Sequence, residues 1–418
     1  MRLPLLTLSL ASLAALGVAL VPAADPVTGR TDRTWKKTVL DTVFRSEGCA
    51  LADVNKDGKM DVLNGEFWYE APTWKKHEMI KPGDYGTGQK SYSNTFACWA
   101  EDLNKDGYPD LITINFPGTP CFWMENPGAK GGHWKRHEIW HSACNETPQY
   151  VDLFGKGKKV LVMGFQPKGS KGNQGQMAYF EPDPNDATKP WIMHPISVES
   201  QPGKEVPGTQ RFSHGLGIGD VNGDGRLDVI VTAGWWEQPE ATDGKTPWKF
   251  HPINAGIPAT ADIYTYDLNG DKAADLLCSS AHQFGIWSYE QRASKPGTSP
   301  SFVKVDMFPQ LVSETHAMVL ADINGDGTAD FVTGKRWWSH GRAEPGADWP
   351  AMLYWFEARK ITDGPRKGMT AFTPRVIDTD SGVGTQFTVA DLNGDGLLDV
   401  AVSNKRGTFI FEQGKATK

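Results

Sequence analysis

The chain has 418 residues, 45 of them glycine and 16 tryptophan, and a formal net charge of -7. This length exceeds what one hydrophobic core usually supports, so either several domains or an array of repeats is expected. Charges of both signs are interspersed, which argues against a nucleic-acid partner. Turn-forming residues abound and amphipathic helical periods are scarce after residue 25, which indicates an all-β protein.

The N-terminus has the three parts of a secretory signal peptide. Arg2 supplies a positive charge, residues 5–20 form an apolar run, and Ala23 and Ala24 offer small residues for cleavage. Residues 1–24 are therefore predicted to be a cleaved signal peptide that leads to secretion or to the periplasm, followed by a linker over 25–34. The mature chain is expected to have no membrane span. An uncleaved membrane anchor is the alternative, because the apolar run approaches the length that spans a bilayer.

An aspartate-rich motif of nine residues recurs along the rest of the chain. It occupies residues 53–61, 102–110, 220–228, 267–275, 322–330 and 391–399, with a degenerate copy that begins near Asp152. Each copy precedes a β-branched run, and each unit continues with an aromatic strand that ends in glutamate, as in Trp235-Trp236-Glu237. The spacing fits the four-stranded blade of a β-propeller.

The order of the repeated strands predicts how the ring closes. A last strand that resembles the run from Trp74 follows six of the seven aromatic strands, but the chain stops soon after the seventh, which ends at Glu412. The missing copy begins at Trp35. The N-terminal strand is therefore expected to complete the final blade and to remove exposed sheet edges. The predicted fold is an all-β, seven-bladed β-propeller over residues 35–414, with a tail at 415–418.

Oxygen-bearing side chains at positions 1, 3, 5 and 9 of the motif are typical ligands of Ca²⁺, and glycine at position 6 permits the sharp turn. We expect five to six structural calcium sites. In the fifth motif Lys272 replaces the glycine, and in the degenerate third copy Phe154 and Lys156 stand at ligand positions, so that copy is expected to hold no metal. The predicted ligands are Asp53, Asn55, Asp57, Asp61, Asp102, Asn104, Asp106, Asp110, Asp220, Asn222, Asp224, Asp228, Asp267, Asn269, Asp271, Asp275, Asp322, Asn324, Asp326, Asp330, Asp391, Asn393, Asp395 and Asp399.

These motifs and their order resemble the FG-GAP or VCBS repeat family, which includes the integrin α-chain propeller. The resemblance extends from about Trp35 to Glu412 and implies a calcium-binding propeller. It does not imply one activity, because that family contains binding modules, adhesion proteins and enzymes. The five cysteines show no metal-binding spacing and are expected to be buried small side chains.

If the innermost strand enters each acidic loop, the segments before the innermost strands and after the second strands meet on the opposite face, around a central funnel. The candidate ligand-binding residues in these segments are His214, His316, Tyr264, Arg336, Glu314, Arg211, His282, Lys335, Lys405 and Gln386.

Such a set supplies the base, the acid and the cations that β-elimination or isomerisation of a sugar requires. We expect His214 or His316 to abstract a proton, Tyr264 to donate one, and Arg336 with Lys405 to hold a carboxylate or ketone oxygen. A transition metal bound by His214, His316 and Glu314 is the alternative.

Two functions are compatible with this pattern. The first, favoured by the family resemblance, is an exported monomeric module that binds a saccharide or an extracellular protein through the funnel. The second is a carbon-oxygen lyase or isomerase that acts on an acidic or keto sugar. The funnel is also similar in residue types to the propeller part of aldos-2-ulose dehydratases and, more loosely, to propeller-type polysaccharide lyases.

Overall fold

A computed structural model of the protein describes residues 33–292 and 300–415. The predicted signal peptide, most of the predicted linker and residues 416–418 of the predicted tail lie outside this part. The described residues form 28 strands and one short 3-10 helix at Gly128–Lys130. The strands are β1 Arg33–Asp41, β2 Ala50–Ala52, β3 Asp61–Leu63, β4 Phe67–Glu70, β5 Lys75–Glu78, β6 Ala97–Glu101, β7 Asp110–Ile114, β8 Thr119–Glu125, β9 Lys135–Ala143, β10 Gln149–Val151, β11 Val160–Phe165, β12 Gln176–Glu181, β13 Ile192–Pro195, β14 Gly217–Gly219, β15 Asp228–Val231, β16 Gly234–Glu237, β17 Lys249–Pro252, β18 Tyr264–Tyr266, β19 Asp275–Ser279, β20 Ile286–Arg292, β21 Ser301–Asp306, β22 Met318–Ala321, β23 Asp330–Gly334, β24 Leu353–Lys360, β25 Thr370–Asp378, β26 Thr388–Ala390, β27 Asp399–Asn404 and β28 Gly407–Lys415.

The strands pair into seven antiparallel sheets of four strands each. Six sheets are built from consecutive strands, beginning with β2-β3-β4-β5, and the seventh has the order β1-β28-β27-β26. In that sheet the register runs from Arg33 opposite Lys415 to Val39 opposite Phe409. The seven-bladed propeller and its closure by the N-terminal strand are therefore confirmed.

The innermost strands of neighbouring blades contact one another around the ring, and β2 lies against both β6 and β26. Among the described residues, the buried apolar side chains form seven clusters, one at each interface between two blades. Large aromatic side chains such as Trp123, Trp235 and Trp355 fill these interfaces and are almost completely buried. Twisted sheets leave a wedge between them, and flat, bulky rings fill it well.

Every acidic loop joins the first strand of a blade to the second, and each second strand returns to the opposite face. This topology gives the ring a calcium-loop face, named for the predicted ligands, and a funnel face. All five cysteines are buried and free, as expected. The part of the chain that the structure describes contains no helix with the length and apolar character needed to cross a bilayer.

Candidate functional site

Each acidic loop is held in shape by its own backbone. In the seventh, Asp391 accepts hydrogen bonds from the N–H groups of Gly394, Asp395 and Gly396, and Asn393 Oδ1 accepts a further one from Asp395. The bonds from the N–H groups of positions 5 and 6 recur in the first, second, fourth and sixth loops. The loop backbone thus holds the side-chain oxygens of positions 1 and 3 close together.

The aspartate at position 9 has a second task. Asp399 is 1% exposed, and its two oxygens accept the backbone N–H groups of Leu392 at 2.9 Å and Gln413 at 2.7 Å, so it ties the loop to the third strand. Burial, with help from the charges of Asp395 and Asp391, raises the pKa of Asp399 to about 6. Burial also raises the pKa of Asp110 and of Asp228 to about 7. Burial therefore disfavours the charged form of these carboxylates, and a bound cation would offset this desolvation.

The two loops that depart from the motif also differ in geometry. Lys272 adopts the left-handed region at φ 71, which costs a residue with a Cβ about 1–2 kcal/mol. In the other five complete loops, the N–H of position 6 donates a hydrogen bond to the aspartate of position 1. Among the described residues, the fifth loop lacks this bond. In the third copy, Asp152 accepts the N–H groups of Lys156 and Gly157, and the ammonium of Lys158 pairs with Glu181, so the turn is preserved without the acidic ligands.

The floor of the funnel is a buried ion-pair network centred on Arg336. Its Nε and Nη2 donate to Glu47 Oε1 at 3.1 and 2.6 Å, and its Nη1 donates to Glu146 Oε2 at 2.9 Å. Burial would lower the pKa of Arg336, but the two carboxylates outweigh it and raise that pKa above its usual value. The guanidinium of Arg336 therefore already donates to two protein carboxylates. Its predicted role of holding a carboxylate or ketone oxygen of the substrate does not fit these surroundings.

Histidines from three parts of the chain meet above this floor. The ring of His214 lies 4.7 Å from that of His282 and 5.3 Å from that of His316, measured between centroids, so the predicted convergence occurs. His340 joins them, 4.7 Å from His282 and 5.8 Å from His316. Burial lowers the pKa of His214, although Glu146 opposes this, and burial lowers the pKa of His316 much further. Both imidazoles are therefore neutral at pH 7.

Three of these rings have a buried nitrogen without a hydrogen-bond partner among the described residues, and in His340 this nitrogen is Nδ1. The Nε2 atoms of His214 and His316 are buried and have no hydrogen-bond partner among the described residues. The Nδ1 of His316 lies 3.1 Å from the carbonyl oxygen of Glu314, which fixes the proton on Nδ1 and leaves the Nε2 lone pair free. His214 Nε2 lies 3.7 Å from Glu146 Oε2.

A cavity of about 550 Å³ opens over the histidines. His214, His282 and His340 line it together with Glu146 and four aromatic residues. The aromatic residues are Tyr92, Phe96, Phe116 and Phe212. A cavity lined by both polar groups and aromatic rings suits a small ligand that has both polar edges and apolar faces, as a sugar ring does.

Lys405 and Tyr92 lie beside the cavity. The Lys405 ammonium lies 4.2 Å from the centre of the Tyr92 ring and donates to the carbonyl of Trp338 at 2.9 Å. Burial lowers the pKa of Lys405 to about 8, with Arg336 adding to the effect and Glu47 opposing it. Burial raises the pKa of Tyr92, so its phenol stays protonated at neutral pH.

Lys335 and Glu314 neutralise each other nearby. The Lys335 ammonium lies 2.8 Å from Glu314 Oε1, and Ser339 Oγ donates to Glu314 Oε2 at 2.6 Å. All three side chains are buried. The Glu314 carboxylate is therefore paired with Lys335, and among the described residues the carboxylate that lies with His214 and His316 is that of Glu146, not that of Glu314.

Three other predicted residues have different surroundings. The Tyr264 hydroxyl donates to the carbonyl of Met318 at 2.7 Å and the ring packs in the interface between two blades, so the structure does not bring it to the histidines. Gln386 Oε1 accepts the N–H of Cys49 at 3.0 Å and serves to join two blades. Arg211 lies at the rim, with its guanidinium 4.7 Å from the centre of the Phe212 ring.

Five residues of the site are absent from the candidates chosen from the sequence: Glu47, Glu146, Tyr92, His340 and Glu344. The first three stand in segments that the sequence places at the funnel, but they were not chosen as candidates. His340 and Glu344 lie in an insertion after the second strand of the sixth blade, whose composition is typical of a surface loop. This insertion instead packs over the funnel, with Ser339 completely buried.

A ring of seven four-stranded blades with acid-rich loops after the innermost strands defines a repeat β-propeller. The FG-GAP-like repeat matches residues 267–333, and the FG-GAP repeat matches residues 212–242 and 383–417. The chain therefore contains FG-GAP repeats, set in a seven-bladed propeller.

Several solved structures are similar to the chain at low identity. The Dos1 propeller is 10% identical, with 92% of this chain and 96% of that chain covered and a TM-score of 0.47. The exotype rhamnogalacturonan lyase YesX is 12% identical, with 91% and 76% covered and a TM-score of 0.45. The biofilm matrix protein Bap1 of V. cholerae is 13% identical, with 90% and 62% covered and a TM-score of 0.35. No curated protein matches the sequence. Likenesses this distant say nothing about the activity of the chain.

Proposed function

We propose that the funnel is the active site of a carbon-oxygen lyase that acts on an acidic or keto sugar. The observation that carries the proposal is that His214 lines a cavity of sugar size and that its Nε2 has no hydrogen-bond partner among the described residues. A neutral imidazole with a free lone pair is a competent general base. Glu146, at 3.7 Å, stabilises the imidazolium that forms when the base takes up a proton.

The proposed reaction is a β-elimination. His214 removes the proton next to the carboxylate or ketone, that C–H bond breaks, and a C=C bond forms. The C–O bond to the leaving group then breaks, and the leaving oxygen takes a proton. Tyr92 lines the cavity with a protonated phenol, so we assign to it the role of acid that the sequence had suggested for Tyr264. Its O–H donates to the carbonyl of Ser339 at 2.5 Å, and the leaving oxygen must take the place of that carbonyl.

The test is turnover on uronate-containing and keto sugars, followed by the ultraviolet absorbance of the unsaturated product and by mass spectrometry. We expect His214→Gln to lower kcat about 10²- to 10⁴-fold, the usual contribution of a general base. His133→Gln is the matched control, because His133 is exposed and pairs with Glu78 outside the funnel. Unchanged circular dichroism would show that both variants are folded.

A non-catalytic saccharide-binding module is the second candidate, and the rim of the funnel favours it. Phe212 is 41% exposed, and Arg211 lies over both its ring and that of Phe116. Exposed rings of this kind offer a stacking surface for a sugar. Binding that is weakened by Phe212→Ala, with no product from any sugar, would replace the lyase proposal with this one.

We also propose that the complete acidic loops bind Ca²⁺ and that this serves structure rather than catalysis. The closely held oxygens of positions 1 and 3 and the raised pKa values at position 9 support it. Export through a signal peptide at residues 1–24 belongs to the same proposal, because calcium is abundant outside the cell and sites in extracellular proteins are correspondingly weak.

A further inference from the structure

Three histidines in the funnel are arranged as a metal-binding set. One ring nitrogen each of His282, His316 and His340 lies within 4.8 Å of those of the other two. Three imidazoles that leave one position open are the ligand set of several catalytic zinc sites. His282 and His340 line the cavity wall, so an ion bound there would face the ligand.

The second ring nitrogen of each histidine already has an oxygen neighbour. Glu344 Oε1 lies 2.7 Å from Nδ1 of His282 and 2.9 Å from Nδ1 of His340, and the carbonyl oxygen of Glu314 lies 3.1 Å from Nδ1 of His316. Histidines that bind a metal nearly always donate their other N–H to a carboxylate or a backbone carbonyl in this way. In His282 and His316 the hydrogen bond at Nδ1 leaves Nε2 as a lone-pair donor, whereas Nδ1 of His340 contacts Glu344 without forming a hydrogen bond.

A purely structural role for the cluster is poorly supported. The Nε2 of His316 belongs to a completely buried side chain and has no hydrogen-bond partner among the described residues. Leaving a buried acceptor unsatisfied costs about 1–3 kcal/mol. The centroids of four imidazole rings also lie within 6 Å of those of neighbouring rings, and the packing of a core does not call for such a cluster.

We infer that His282, His316 and His340 bind one divalent transition-metal ion, zinc by preference, and that Glu344 orients two of the three rings. Nitrogen donors select such an ion over calcium, which prefers oxygen. The inference deepens the proposed function, since it assigns to the metal the task of holding the carboxylate or ketone oxygen of the sugar. Arg336 cannot take that task, because its Nε, Nη1 and Nη2 all donate to Glu47 and Glu146.

Metal binding is measured on the full chain without any sugar. The protein is freed of transition metals, kept in excess Ca²⁺ to occupy the acidic loops, and titrated with Co²⁺ and Zn²⁺ by calorimetry. The visible absorbance of Co²⁺ reports nitrogen coordination. We expect one ion per chain, displaced from the Co²⁺ form by Zn²⁺.

Two substitutions test the ligands without disturbing the core, because the side chains of His282 and His340 are 30% and 33% exposed. His282→Gln and His340→Gln are expected to abolish stoichiometric binding. Glu344→Gln should weaken it about 10- to 100-fold, as loss of an orienting carboxylate does. His133→Gln and His214→Gln should retain it. Absence of a stoichiometric site, or binding that survives both ligand substitutions, would overturn the inference.

The same protein separates the metal from the activity. If the metal binds as expected and no sugar is converted, only the proposed function fails. If elimination proceeds equally after a chelator has removed the transition metal in excess Ca²⁺, the role of the metal in holding the sugar oxygen fails. The proposed lyase activity then stands without it.

Discussion

Arg336 shows how one residue shapes the funnel. It is 1% exposed and pairs with two buried carboxylates, those of Glu47 and Glu146. Desolvation makes such a network a weak source of stability, but removal of the arginine would leave two charges buried without a partner. The network therefore serves to hold Glu146 beside His214 and to keep the floor of the funnel polar.

Lys405 provides a test of this buried charge at the residue scale. Its pKa is lowered from 10.5 to about 8 in the folded protein, so folding releases a proton between these two pH values. The native state then carries fewer protons than the unfolded state, and stability rises with pH through this window. Relative to Lys405→Met, the wild type should gain about 3 kcal/mol between pH 8 and pH 10.5.

Urea denaturation of both proteins over this pH range measures the effect. Other groups titrate in both proteins, so only the difference between them is informative. A difference that stays constant with pH would show that Lys405 is not held in a low-dielectric site.

The residues of the site were only partly predictable. His214, His282 and His316 were found because blade order alone places their segments at the funnel. The partners of Tyr264 and Glu314 were not predictable, since both depend on side-chain directions that a repeat pattern does not specify. His340 was missed because an insertion carries no repeat, and its packing over the funnel is a tertiary contact.

At the scale of elements, the acidic loop combines a proposed ion site with hydrogen bonds that join it to the strands of its blade. Asp395 is exposed and accepts only the N–H of Leu397 among the backbone groups of the described residues, whereas Asp399 is buried and accepts two. The same division between positions 5 and 9 recurs in the other complete loops.

This division predicts different responses to calcium. In a chelator, Asp399→Ala should lower the free energy of unfolding by about 3 kcal/mol, because two buried N–H groups lose their acceptor. Asp395→Ala should have little effect there and should destabilise only in Ca²⁺, where it removes a ligand. Thermal unfolding of both variants with and without Ca²⁺ tests this, and equal losses in the chelator would contradict it.

The elements themselves were largely predictable from the sequence. The motif predicted the position of every acidic loop, because Asp, Asn and Gly at this fixed spacing favour a tight turn. What the sequence did not reveal is that position 9 is completely buried. In the seventh blade, Asp399 begins a strand whose residues are all buried, and its carboxylate accepts two backbone N–H groups.

For the whole molecule, the seam between β1 and β28 is the only place where sequence-distant strands of the described chain share a blade. Lys36 faces Glu412 across it, and their charges meet at 2.7 Å. Every other blade is a local meander. The ring should therefore open first at this seam.

A disulfide across the seam tests this expectation. Lys36→Cys with Glu412→Cys closes almost the whole chain into a loop, and loop entropy makes such a bridge about 3 kcal/mol more stabilising than one across a hairpin. Arg359→Cys with Ala371→Cys, facing residues of β24 and β25, is the matched hairpin control. Equal rises in Tm for the two oxidised proteins, reversed by reduction, would show that the seam is no weaker than the blades.

The pairing of Arg33 with Lys415 also sets an orientation. Both residues stand at the edge of the last blade on the calcium-loop face, where Arg33 donates to the carbonyl of Asn324 in the sixth loop. A membrane, domain or surface joined to the propeller through either of these ends would lie on the side of the calcium-loop face. The funnel face would then point away from it and stay accessible to a large polymer.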